Sequence, residues 1–282
     1  MAISVLTNVA SLNAQRNLAA TQTSLSASIG RLSSGMRINS ASDDAAGLGI
    51  SENLKANIRS LSQAQRNAND GISMSQVAEG GMNEMQGIVS RMRELSIQSA
   101  NSTLGGNERG YIQTEFKQLQ GDINRLGAVT EFAGQKMLDG SASAGLTFQV
   151  GIQNTANDRL SMSITKLTTS TLGSTSLHVA SASLSTATNA QKAIGAFDKA
   201  IQQLSQARAK VGAVQNRMQI TISSLSVAQE NLSAANSRIK DVDIAEESSE
   251  LTRNNILMQS GTSVLMQANQ VPKMALQLLQ NS

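Results

Sequence analysis

Cysteine and tryptophan are absent from the 282 residues, and proline and histidine occur once each, at Pro272 and His178. Without cysteine there is no disulfide, no thiol nucleophile and no thiolate metal site. A single histidine excludes zinc motifs of the H-E-x-x-H kind. His178 sits in a Ser/Thr-rich loop, with no nucleophile elbow nearby to complete a triad. Aromatic residues make up only 2% of the chain, so a thick, aromatic-filled core is not expected. The net charge of +3 is dispersed: Arg31, Arg37, Lys55, Arg59 and Arg66 form no block and acidic residues lie among them. With few rings to stack on bases, nucleic acid is not an expected partner. The first twenty residues lack a basic region followed by an apolar run, so no cleaved signal peptide is expected. No stretch approaches the roughly 20 apolar residues of a membrane span, so membrane insertion is not expected either. No catalytic, metal or cofactor constellation emerges, and the chain does not read as an enzyme.

What is present is leucine, isoleucine, valine, methionine and alanine in helical periodicity, with almost no proline to interrupt it. Leu18, Leu25 and Leu32 recur every seven residues, with Ile29 between them and Val5, Val9 and Leu12 opening the stripe. After a break, Leu54, Ile58 and Leu61 resume it. It continues through Ala68, Ile72, Met74, Met85, Ile88, Met92 and Leu95, loosened near Gly71 and Gly80-Gly81. Ile112, Phe116, Leu119, Ile123 and Leu126 mark a further amphipathic helix. Between about 130 and 180 the period changes to two, and "LTFQVG" and "RLSMSIT" predict a β-hairpin at about 146–165. Phe197, Leu204, Val211, Met218, Leu225, Leu232 and Ile239 then form an unbroken heptad line beside mostly small residues. A helix of roughly 45 residues would be about 70 Å long. The last stripe has Ile244, Leu251, Met258 and Leu265 on one line and Leu257, Val264, Val271 and Leu278 beside it.

The predicted fold is mainly α: an elongated antiparallel coiled-coil or helical-bundle rod with a small β-hairpin region and its terminal helices paired. The six residues Leu18, Leu25, Leu32, Leu251, Met258 and Leu265 are the expected polymerisation seams, since each end is too narrow to bury itself alone. The break "INSASDDAAGLGI" could hold a carboxylate pair, a phosphate loop or a hinge. Adjacent carboxylates on a helix diverge by about 100°, and the spacing matches neither an EF-hand nor G-x-G-x-x-G. It reads as a hinge, with Ser42 or Asp43 capping the helix that enters at Ala45 and the acidic side chains of Asp43 and Asp44 suiting its positive end. At the other end "KDVD" is the equivalent, with Asp241 or Asp243 starting the final helix.

"RLSSGMRINSASDDAAGLGISENL" and "QAQRNANDGISMSQVAEGGMNEM" closely resemble the N-terminal arm of bacterial flagellins. "GAVQNRMQ", "ANSRIKDVDIAEE" and "GTSVLMQANQVPKMALQLL" resemble the C-terminal arm. The resemblance implies a minimal flagellin without variable outer domains. Residues 1–43 and 241–282 would be inner-tube terminal helices and 44–240 an outer-tube rod domain. It implies a homopolymer of flagellin subunits forming the extracellular filament, a periplasmic filament being the other location. Export would be by the flagellar type III route. The partners implied are an export chaperone at the C-terminal helix, filament cap and hook-junction proteins, and a Toll-like flagellin receptor of hosts. Arg91, Leu95 and Glu115 correspond to the family's receptor-recognised and subunit-contact residues. Ser143, Thr169, Thr171 and Ser176, in uncovered Ser/Thr-rich loops, are candidates for O-glycosylation. A hook–filament junction protein is the alternative within the same machine, and a non-flagellar coiled-coil tether or adhesin the alternative outside it.

Overall fold

The computed structural model describes residues 7–174 and 176–280, with side chains through residue 270. Val5, Val271 and Leu278 of the expected stripes lie outside the side chains so described. Five helices carry the fold: α1 Val9–Ser34, α2 Ala45–Ala100, α3 Gly106–Val129, α4 Ala187–Lys240 and α5 Ile244–Gln280. Two antiparallel hairpins separate α3 from α4. One pairs β1 Glu131–Phe132 with β2 Gln135–Lys136, and the other pairs β3 Leu146–Gln149 with β4 Arg159–Met162. The chain forms two compact units: one joins the chain up to Ala56 with the chain from Asn231 onward, the other is Asn57–Glu230.

The second unit holds the larger core. From Leu61 to Ser99 a line of buried positions on α2 steps by three and four: Leu61, Ala64, Ala68, Gly71, Ser75, Ala78, Met82, Met85, Val89, Met92, Ser96 and Ser99, with Leu95 buried beside it. Ser75, Ser96 and Ser99 are fully buried on this line. Ser75 and Ser96 donate to the carbonyls of Gly71 and Met92, one turn back, at 2.7 and 2.8 Å. Ser99 reaches Leu184 O at 2.6 Å. A hydroxyl satisfied this way fits a helix–helix seam at little cost. Facing this line are Ile112, Phe116 and Ile123 of α3 and Phe197, Ala200, Leu204 and Val211 of α4. Phe116 and Phe197 meet edge to face with ring centroids 5.7 Å apart. A second cluster, Ala68, Val150, Leu160 and Met218, seats the longer hairpin. Its register sets Phe148 opposite Leu160 and Leu146 opposite Met162.

The shorter hairpin has no asparagine–glycine signal. Its two-residue turn is Ala133–Gly134, both at positive φ, 50° and 79°, the form a right-twisted hairpin requires.

Gly71, Gly80 and Gly81 do not break α2, which is continuous through them. A Cβ on Gly81 would lie 2.8 Å from Thr130 Oγ1 and 3.0 Å from Leu138 Cδ1, whereas one on Gly80 would meet nothing within 4 Å. Gly80→Ala should therefore stabilise the protein by up to about 1 kcal/mol, the glycine-to-alanine helix gain. Gly81→Ala should destabilise it, because overpacking of about 1–3 kcal/mol exceeds that gain. Urea midpoints of the two variants should move in opposite directions.

Candidate assembly surface

The terminal helices pair within the chain, α1 running antiparallel to α5. Asn8, the N-cap of α1, donates to Ala268 O at 2.9 Å, and Arg31 near its other end lies 3.6 Å from Glu247. Between them Leu18 packs on Gly261, where a Cβ would come within 3.2 Å of its methyl. Inward positions on α1 are Ser11, Ala14, Leu18, Thr21, Leu25, Ser28 and Leu32. On α5 they are Glu247, Leu251, Asn254, Met258, Gly261, Leu265 and Ala268. Both sets follow a heptad in which large residues alternate with small or polar ones. The expected seam residues Leu18, Leu25, Leu32, Leu251, Met258 and Leu265 thus face the partner helix of the same chain. Leu25 is buried and the other five are half-buried.

Apolar residues remain outside that seam. Val9, Leu12 and Ile29 on α1, and Ile244, Ile256, Leu257, Val264 and Met266 on α5, are 49–69% exposed. Val9, Leu12 and Ile29 belong to the stripe read from sequence, but the buried phase runs through Ser11, Ala14 and Ser28 instead. The hydroxyls disguise that phase. Exposed large apolar residues gathered on one helix pair mark a contact surface.

The two breaks are clasped to each other. Gly35 ends α1 at φ 71° and donates to Arg31 O, a left-handed cap that suits glycine. Met36 then bridges Asp241, Arg37 N donates to Lys240 O at 2.7 Å, and Val242 N donates to Gly35 O at 3.1 Å. Arg37 Nη2 adds a bond to Ile239 O at 2.7 Å, and Ile38 is buried. Asp241 enters this clasp through its backbone.

Helix capping differs from expectation. Asp44, not Ser42 or Asp43, caps α2: it occupies the position before Ala45, and its Oδ1 accepts from Gly47 N at 2.9 Å. Ser42 Oγ instead pairs with Ser40 Oγ at 2.7 Å. Asp43 turns backward and accepts from Asn39 N, Ser40 N and Ser40 Oγ at 2.8–3.1 Å. At α5, Asp243 is the cap, accepting from Ala245 N and Glu246 N at 2.9 and 3.2 Å.

The backbone donors of Ser40 and Asn39, with the Ser40 hydroxyl, hold the Asp43 carboxyl below its ordinary value of 3.8. A lowered carboxylate contributes stability that is present above the unfolded value and lost as pH falls through the folded one. Acid should therefore loosen this loop only below about pH 4. Thermal unfolding of parent and Asp43→Asn proteins from about pH 5 to 2 checks this, and the two should converge in acid.

In the second unit, Arg91 of α2 bonds Glu115 of α3 at 2.9–3.0 Å and Glu94 at 3.2 Å. The Glu115 bond, then Glu94, holds the guanidinium above its ordinary value. Arg91 and Glu115 are about half exposed, so the pair orients side chains more than it stabilises. Leu95 does not share this surface. It is 1% exposed and packs in the core with Met92 and Phe116, because four residues overshoot one helical turn by about 40°, enough to move from the rim onto the buried line.

Of the loop hydroxyls, Ser143, Thr171 and Ser176 are exposed. Thr169 is not available for modification: it is 4% exposed and its hydroxyl donates to Asn124 Oδ1 at 2.9 Å. Among the described residues no three of His, Cys, Asp and Glu converge as a metal site. No described helix is long and apolar enough to cross a membrane.

Comparison with known proteins matches residues 5–143 to the bacterial flagellin N-terminal helical region and residues 194–279 to the bacterial flagellin C-terminal helical region. A flagellin of Halalkalibacterium halodurans is 43% identical over 272 residues, covering 96% of this chain and 98% of that protein. The flagellar filament 33 kDa core protein of Treponema phagedenis is 41% identical over 282 residues, with coverage of 96% and 98%. A flagellin of Bacillus subtilis is 40% identical over 302 residues, with the same coverage. Both arms and nearly the whole length agree. The chain belongs to the bacterial flagellin family.

Proposed function

We infer that this chain is a structural subunit of the bacterial flagellar filament and polymerises with other flagellin subunits. The observation that carries this reading is end-to-end similarity to flagellins, 43% identity over 98% of one relative. The exposed apolar residues on α1 and α5 supply a surface on which copies can assemble. Neither the junction-protein nor the tether reading accounts for that full-length match. Polymerisation would bury the outer apolar rows, and the product transmits torque as a stiff tube; no bond is made or broken.

In this reading residues 1–43 and 241–282 line the inside of the tube and 44–240 form its outer wall. The Arg91–Glu115 surface serves subunit contact and, in animal hosts, a Toll-like flagellin receptor. Ser143, Thr171 and Ser176 are the hydroxyls open to O-glycosylation. An export chaperone takes the C-terminal helix, and cap and hook-junction proteins bound the filament at its two ends. The filament is extracellular. Electron microscopy of purified protein tests the central assignment: tubes are expected, and isolated particles under all polymerising conditions would contradict it. Protease added to intact cells should digest the filament surface, whereas a periplasmic filament would be spared.

A further inference from the structure

Glu247 and Asn254 stand one heptad apart on the side of α5 that meets α1, and they are 8% and 4% exposed. Glu247 Oε2 has one long ion pair, 3.6 Å to Arg31. Glu247 Oε1 and Asn254 Nδ2 have no hydrogen-bond partner among the described residues, although both atoms are shut off from solvent. Leu18 meets Gly261, so successive heptads of the antiparallel pair bring Leu25 level with Asn254 and Leu32 level with Glu247. Each polar head is opposed by a leucine.

An unpaired polar group in such a place weakens the pairing that buries it. Elsewhere, a buried polar residue in a coiled coil sets alignment. Here alignment is already set by the clasp of Gly35–Arg37 against Lys240–Val242, which leaves that role filled. A neighbouring copy cannot relieve the two atoms either, because their own chain covers them while α1 and α5 remain paired. The polar heads therefore lower the stability of the closed pair in the free chain and in the assembly alike. Only the free chain lacks the compensating cover over Val9, Leu12, Leu257 and Val264.

We propose that Glu247 and Asn254 are a built-in weak point that keeps the α1–α5 pair from closing until other copies cover its outer face. The inference rests on the reading of this chain as a filament subunit. It explains why α5, which elsewhere in the seam alternates leucine or methionine with glycine or alanine, carries a carboxylate and an amide at two successive heptad positions. Leucine at both would seal the pair before other copies cover its outer face.

Hydrogen exchange on full-length monomer tests this, with parent, Asn254→Leu and Glu247→Leu/Asn254→Leu proteins compared. The amides of α1 and α5 should exchange at least tenfold more slowly in Asn254→Leu than in the parent, and more slowly again in the double variant. Asn254→Ala removes the amide without adding bulk and should slow exchange to a lesser degree, which covers the case in which leucine fits poorly. Asn255→Leu, at the exposed neighbouring position, gains the same helix propensity outside the seam and should leave exchange at the parent rate. Parent-like or faster exchange in all three Glu247 and Asn254 variants overturns the proposal, as does slowing by Asn255→Leu equal to that by Asn254→Leu. Polymerisation of the parent is scored separately by electron microscopy. A parent that forms no tubes defeats the filament reading, whereas a parent that forms tubes beside unresponsive variants defeats this inference alone.

Discussion

A fragment spanning residues 44–240 will stay helical and will not polymerise. It keeps the cap at Asp44 and every residue of both buried clusters. Its second unit therefore retains the contacts that hold α2, α3, α4 and the hairpins together. What it loses is the terminal pair, with eight large apolar side chains exposed on α1 and α5. Burying one such side chain is worth about 1.5–3 kcal/mol, and about 1.4 kcal/mol is a tenfold change in affinity. Loss of even two of these contacts raises the critical concentration more than about 100-fold, so removal of all of them should abolish assembly at any practical concentration. Circular dichroism and sedimentation of the fragment check both halves. Filaments from the fragment, indistinguishable from those of the parent, would remove α1 and α5 from the assembly mechanism.

Phe197→Ala should cost the second unit about 3–5 kcal/mol. The chain has four phenylalanines and no tryptophan, and Phe197 is fully buried where α4 crosses the α2–α3 seam. Its edge-to-face contact with Phe116 adds about 0.5–1.5 kcal/mol beyond buried area. Its neighbours along α4, Ala193 and Ala200, have no side chain with which to fill the space, which favours a retained cavity. Against a typical stability of about 5–15 kcal/mol, this loss is large enough to shift the urea midpoint well below the parent's. Phe132, half-buried in the short hairpin, serves as the comparison, and Phe132→Ala should cost much less.

These effects trace to features of differing visibility in the sequence. The heptad of α4 was plain because Phe197, Leu204, Val211, Met218 and Leu225 are all large, and all five are buried. The hairpin of β3 and β4 was plain from its period of two. Along α2 the stripe was legible at Met85, Met92 and Leu95 but obscured at Ser75, Ser96 and Ser99. A polar residue breaks an apolar pattern even when its hydroxyl is satisfied by the helix backbone. The same effect moved the inward phase of α1 onto Ser11 and Ser28 and left Val9, Leu12 and Ile29 outside. The short hairpin was not legible, because alanine at positive φ carries no turn signal. Capping was legible as chemistry but not as geometry. Of three consecutive candidates, Ser42, Asp43 and Asp44, the backbone path selects Asp44 and turns Asp43 to another task. The clasp joins residues about 200 positions apart, such as Arg37 and Lys240, through backbone groups that no side-chain pattern records.

The central claim is that the outer apolar face of the terminal helix pair is completed by other copies of the chain. The α1–α5 seam is narrow: among the described residues it has six large apolar side chains, and of these only Leu25 is buried. Ordering each residue costs about 1–2 kcal/mol of backbone entropy, which a thin seam does not offset alone. Hydrogen exchange of α1 and α5 in free monomer and in assembled filament measures this directly. The account predicts amides that exchange freely in the monomer and become protected by at least about 100-fold in the filament, equivalent to roughly 2.7 kcal/mol, while the core of α2, α3 and α4 is protected in both. Terminal helices as protected in the monomer as in the filament would contradict it.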